Sequence, residues 1–283
     1  MQTPAATGTG GVIGDRDKST LKARRLRSTN WSYSLTGWLG FVPFLLFCLL
    51  FEILPAVMVI QSSFLDSNGA LTLNNFQRVL TQASYLHAFQ NSISLSIVTS
   101  VIGAIIGFFA AYGVYSLRTS WLRNFIIGFS SIAANFAGIP LAFAFISTLG
   151  VTGFVTVILL QWFHVDLYNG LGFSLYTFWG LVLAYLYFEL PLMVLITLPA
   201  LNALRPEWRE AATNLGASNF TYWRRVALPV LLPSLIAATM LLFANSFGAF
   251  ATAYALAQGA INLVPIQISF VVNGNVGLDT GLG

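Results

Sequence analysis

Long stretches of this chain carry no charge. Arg225 and Asp279 bracket 53 uncharged residues, Arg123 and Asp166 bracket 42, and Asp166 and Glu189 bracket 22. About 20 apolar residues cross a bilayer as a helix, so runs of this length dictate an all-α, polytopic membrane protein. Composition agrees: 8% of residues are charged and 57% hydrophobic, where soluble domains carry about 25% charge. A net charge of +4 would point to nucleic acid in a soluble chain. Here it reports topology, because Lys and Arg stay on the cytoplasmic side, and no nucleic-acid partner is expected. Cys48 stands alone, which excludes a disulfide framework and a thiolate metal site. The first apolar run begins near Thr36 and is too long for the core of a cleavable signal.

Residues 1–35 are rich in Gly, Thr and Ser and then basic, with too little apolar surface to fold; they read as a disordered cytoplasmic tail. Residues 36–283 form the transmembrane domain. Apolar segments at 36–62, 91–117, 124–149, 174–204 and 226–257 are each long enough to span. Shorter pieces at 152–163 and 261–272 fit interfacial or re-entrant segments. With the tail inside, twelve of the thirteen basic residues fall on the inner side and only Arg78 lies outside, in the loop 63–90. The threading leaves the C-terminus outside, and the ending NGNVGLDTGLG reads as a loop stopped in mid-course.

The largest inner loop, 205–225, leads into REAATNLGASNFTYWRRVALPVLLPS, residues 209–234. Glu207 to Leu215 supplies helix formers with acid near the start, where the macrodipole favours it. Gly216 is a natural terminator, Ser218 or Asn219 can cap a second helix, and Pro229 and Pro233 break or kink the entry to the fifth span. By composition alone a solvated basic loop and a docking element are equally good readings. The ordered residues favour docking: Glu210, Ala211, Ala212, three residues, Gly216, nine residues, Val226, Ala227, Leu228, Pro229 resembles the EAA motif of permease subunits in binding-protein-dependent ABC importers, departing only in Val226 for Ile. From about Gly37 to Asn275 the order of spans and the stretch ELPLMVLITLPALNALRPEWREAATNLGAS are similar to permeases of the spermidine and putrescine type.

That resemblance implies a MetI-like permease fold in a bacterial cytoplasmic (inner) membrane, with a sixth span where this sequence ends. It also implies a second permease subunit, two cytoplasmic ATPase subunits that hold ATP and Mg, an extracytoplasmic solute-binding protein, and membrane lipid around the whole. Glu210, Ala211, Ala212, Gly216, Leu228 and Pro229 then belong to the ATPase-coupling region, and the solute is small and hydrophilic, such as a polyamine. No cofactor is expected in this chain: GDRDKST at 14–20 lacks the glycine that a phosphate-binding loop places before its lysine. ATP hydrolysis falls to the partners.

Charges inside spans are costly and usually face a bundle interior or a cavity. Glu52, in FEILP, and Glu189, in FELP, are candidates to line the translocation pathway; protonation or a hydrogen bond to a neighbouring helix explains them otherwise. Asn135, Asn245 and Ser246 carry the same two readings. GAIIG at 103–107 reads as helix packing. His87 and His164 are isolated, expected in external loops, and support neither a metal site nor a catalytic constellation. An ion-gradient-driven carrier or channel is the rival from another class, since broken helices and intramembrane carboxylates serve it equally. An intramembrane enzyme has no credible constellation.

Overall fold

The computed structural model describes residues 40–65, 69–257 and 260–274. The expected tail, 1–35, and the closing residues 275–283 lie outside them. The chain divides into two units, one ending at Phe64 and one beginning at Leu65. Five helical stretches among the described residues are long and apolar enough to cross a membrane: Gly40–Ser63, Ala83–Ser116, Ile139–Phe163, Phe178–Asn202 and Asn219–Gly248.

The first unit's helix α1, Gly40–Ser63, contains a π-helical turn, Leu49–Ile53. Pro55 follows two residues later. Proline has no N–H to return to the preceding turn and its ring crowds that carbonyl, so the wider turn absorbs the misfit.

In the second unit, α2 is Asn74–Thr81, α3 Ala83–Ser116, α4 Ser120–Asn135, α5 Ile139–Leu149, α6 Phe154–Phe163 and α7 Phe178–Asn202. After α7 come α8 Pro206–Asn214, α9 Asn219–Tyr222, a second π turn Trp223–Ala227, α10 Leu228–Gly248, α11 Phe250–Ala257 and α12 Val264–Gly274. Here too a proline, Pro229, stands two residues beyond the π turn.

Helices α3 and α7 run parallel: a Cβ at Gly103 would meet Glu189, and one at Gly107 would meet Met193. Helix α10 runs against both, with Thr99 Oγ1 paired to Ser246 Oγ at 2.7 Å and Gly103 facing Leu242. The close approach requires glycine, because a Gly107 Cβ would lie 2.6 Å from the Met193 Cβ. GAIIG is therefore a packing motif, as expected. Helix α4 also runs against α7, from Arg123, which donates to Asn202 Oδ1 at 2.9 Å, to Phe136, edge-on to Tyr187. One apolar cluster gathers Leu95, Leu141, Leu181, Tyr185, Phe188 and Leu256 at one end of the bundle; another gathers Ala111, Val114, Leu201, Tyr222, Ala227 and Leu231 at the other.

The structure corrects three expectations. The span expected over 124–149 is two helices, α4 and α5, interrupted at 136–138, where Gly138 adopts φ +78°, and the stretch long and apolar enough to cross is instead Ile139–Phe163, which takes in the piece 152–163 expected to be interfacial or re-entrant. The span expected over 226–257 stops at Gly248 and restarts at Phe250, while its helix begins earlier, at Asn219, and passes through Pro229 and Pro233 without stopping. His87 lies on α3, which starts at Ala83 and not near 91.

Candidate functional site

The loop between α7 and α10 is built around one turn. Pro206 opens α8 at a position where a missing N–H is harmless, and Glu207 occupies its first turn. At the far end the Ala217 N–H bonds to the Ala212 carbonyl and the Gly216 N–H to the Thr213 carbonyl, each at 2.9 Å. This is a Schellman motif, and it places Gly216 in the left-handed region at φ +79°. Ser218 Oγ accepts from the Thr221 N–H at 3.2 Å and caps α9, and Arg209 donates to Asn219 Oδ1 at 3.2 Å. The turn is thus held from both sides.

Its exposed face carries Glu210, Ala211 and Gly216 together with Leu215, 88% exposed, and Phe220, 73% exposed. Its rear is anchored in the apolar cluster through Ala212, Tyr222 and Ala227. Leu228 and Pro229, on the first turn of α10, are exposed.

A second feature lies where the two interrupted helices meet. The Gly138 N–H donates to Thr252 Oγ1 at 2.7 Å, joining the α4–α5 break to α11, and Tyr185 Oη–H donates to the Ala249 carbonyl at 2.8 Å, joining α7 to the α10–α11 break. Between the breaks is a cleft of about 370 Å³ whose lining includes Ala134, Gly138, Phe188, Asn245, Ala251 and Thr252.

Of the residues expected on a pathway, only Asn245 lines this cleft. Asn135, at the last position of α4, turns its amide back onto the Ser131 carbonyl at 2.8 Å. Ser246 is buried against Thr99. Glu189 is 0% exposed, enclosed beside Gly103 and Leu242, and neither carboxylate oxygen makes a hydrogen bond of good geometry, though the Thr99 and Ser246 hydroxyls lie beside it. Glu189 therefore sits within the helix packing and not on the cleft. Glu52 belongs to the first unit, exposed on the π turn of α1. Thr99, Tyr185 and Thr252 escaped the sequence reading. A buried stripe at Ser92, Ser96, Thr99, Gly103 and Gly107 has the three- and four-residue spacing of one helix face and marks the α3 contact, but nothing local marks Thr252.

The family described as "Binding-protein-dependent transport system inner membrane component" matches residues 103–278. The chain belongs to this family. The permease is 29% identical over 210 residues to the sulfate transport system permease protein CysT of Salmonella typhimurium, covering 73% of this chain and 69% of that one. It is 23% identical over 228 residues to the spermidine/putrescine permease protein PotC of Escherichia coli K12, covering 79% and 78%. Against the ferric transport system permease protein FbpB of Actinobacillus pleuropneumoniae the identity is 26% over 232 residues, 80% of this chain but only 32% of that longer one. Its fold is that of a chain of the bacterial ABC transporter that imports alginate, with a TM-score of 0.66 over 89% of this chain and 90% of that one at 16% identity. The permease is a multi-pass membrane protein and a transport subunit of a binding-protein-dependent ABC system.

Proposed function

We propose that the permease forms part of the solute pathway of an ATP-driven importer in a bacterial cytoplasmic membrane, with its N-terminus inside. A second permease subunit, two cytoplasmic ATPase subunits carrying ATP and Mg, and an extracytoplasmic solute-binding protein complete the machine. The 205–225 loop is the coupling element. The observation that carries this reading is the Schellman turn at Gly216, which ends α8 on the EAA residues and leaves apolar Leu215 and Phe220 facing outward. These two exposed apolar side chains beside the EAA residues support a partner contact there. The solute is small and hydrophilic; the relatives handle sulfate, ferric iron and polyamines, and the polyamine type is the one that the order of spans favours.

In the assembled importer, Gly216→Asp sets a charged side chain on the docking turn and strains its backbone. ATP hydrolysis stimulated by solute-loaded binding protein is expected to disappear while the complex still copurifies. Stimulation at the wild-type level would reduce the loop to a solvated connection.

A further inference from the structure

Helix α2 presents an apolar face beside the outer end of α3, and we propose that this face is seated in the phospholipids of the outer leaflet, so that α2 is an interfacial foot holding α3 at a fixed depth. The leaflet follows from the expected orientation of the chain; the proposal uses neither the coupling loop nor the cleft.

In α2, Asn74–Thr81, Phe76 and Leu80 are four residues apart, and Leu73 precedes Phe76 by three, so the three side chains share one helix face. Leu73 and Leu80 are each 69% exposed and Phe76 41%. Asn74 and Arg78, also exposed, lie on the opposite side. Apart from half-buried Val79, the other residues of the helix are polar. A helix of low net hydrophobicity whose apolar and polar residues are sorted onto two faces lies in the membrane interface, not across it. Both ends of α2 are tied to the fold: the Asn75 side-chain amide donates to the Leu65 carbonyl at 3.2 Å, and the Gln82 N–H donates to the Arg78 carbonyl at 2.9 Å. Gln82 itself is extended, with ψ 120°, so the chain turns a corner there and α2 does not continue the axis of α3.

Depth decides what covers the face. On α3 the exposed apolar side chains Leu86, Phe89, Ile93 and Ile97 begin a stripe that continues at steps of three and four residues to Tyr112. From Leu86 to Tyr112 the stripe rises about 39 Å, against about 30 Å for a hydrocarbon core and about 40–45 Å for a bilayer with its headgroup layers. Its inner end is Tyr112, edge-on to Trp223 at 5.1 Å, an aromatic pair of the kind that sits at headgroup depth. Its outer end, Leu86, therefore reaches the outer headgroup layer. Exposed His87 and Gln90 give these last turns the mixed character of that layer. The corner at Gln82 is one helical turn beyond Leu86, and any tilt of α3 brings it closer to the core. The α2 face is thus at the lipid surface and not far above it in water. Leu73, Phe76 and Leu80 can sink to the boundary of headgroups and acyl chains while Asn74 and Arg78 stay in water.

The test uses the permease with Cys48 replaced by Ser, in the assembled importer reconstituted into vesicles of phosphatidylethanolamine and phosphatidylglycerol. Single nitroxide labels are placed through Leu73→Cys and Leu80→Cys on the apolar face and through Asn74→Cys and Arg78→Cys on the polar one. All four side chains are exposed, and two reporters on each face keep the comparison open should one variant misfold. Power-saturation electron paramagnetic resonance reads collision with oxygen, which concentrates in lipid, and with a water-soluble nickel chelate. Labels at 73 and 80 are expected to collide often with oxygen and rarely with nickel, with the reverse at 74 and 78. Frequent nickel collision on both faces would put α2 in water, and exclusion of both probes from 73 and 80 would put a protein over the face; either result overturns the proposal. The readout needs neither ATP nor solute, so it fails independently of the Gly216→Asp experiment.

Discussion

A Cβ added at Gly107 would lie 2.6 Å from the Met193 Cβ, whereas one added at Gly216 would meet nothing within 4 Å. The first substitution fails by crowding and the second by backbone conformation. Gly107→Ala is expected to lose about 1–3 kcal/mol through overpacking of α3 on α7, read as a lower melting temperature of the detergent-solubilised permease; Gly113→Ala on the same helix, where the space is open, should cost nothing. Gly216→Ala fits sterically but holds an L-residue at φ +79°, a penalty of about 1–2 kcal/mol. It should weaken solute-stimulated ATP hydrolysis, and Gly216→Asn, which tolerates that region better, should restore part of it. Glu189→Gln keeps the shape of a side chain enclosed among α3, α7 and α10 and is expected to leave solute selectivity unchanged in uptake assays. A changed selectivity would place Glu189 on the solute route after all.

At the scale of elements, the breaks in α4–α5 and α10–α11 depend on a few cross-links. Thr252→Val removes the acceptor of the half-buried Gly138 N–H, and losing such a bond costs about 1 kcal/mol. Its melting temperature should fall, while Thr252→Ser, which keeps the oxygen, should not. The turn before α7 is organised by Asp166, whose carboxylate accepts from the N–H groups of Tyr168 and Asn169 and from the Asn169 amide. The Asn169 bonds, backbone first, hold this carboxyl below its usual range. A depressed folded value means that the contribution is present above the unfolded value, about 3.9, and is lost as pH falls through the folded one. Asp166→Ala should therefore speed amide exchange over residues 166–171 at neutral pH, with less difference from the wild type in acid. The coupling turn could be read from sequence because a helix stop at Gly216 and a cap at Ser218 are local events. The first break carried a local signal that the sequence reading did not use: Gly138 followed by Pro140, whose missing N–H and ring disfavour an unbroken helix. The second did not, because Ala249 has no breaking tendency, and the bond from Tyr185 to its carbonyl comes from far away in sequence.

For the whole molecule, the apolar segments were legible because the bilayer sets one length for every span; where a crossing divides into two pieces depended on tertiary contacts. The distribution of Arg and Lys fixes an expected orientation, and cysteine labelling can check it. In a Cys48→Ser background, a cysteine at Leu215 is expected to react with an impermeant maleimide only in inverted vesicles, and one at Asn169 only in right-side-out vesicles. The reverse pattern would remove the coupling loop from the cytoplasm and the ATPase reading with it.

The helix that leaves the coupling loop does not end until the cleft. From Asn219 through the π turn to Gly248 it is helical over 30 residues, about 45 Å at the helical rise, with the proposed docking turn just before one end and the cleft wall at the other. Such a rod is a lever. A tilt of a few degrees at the loop would shift Asn245 and Gly248, which line the cleft at its far end.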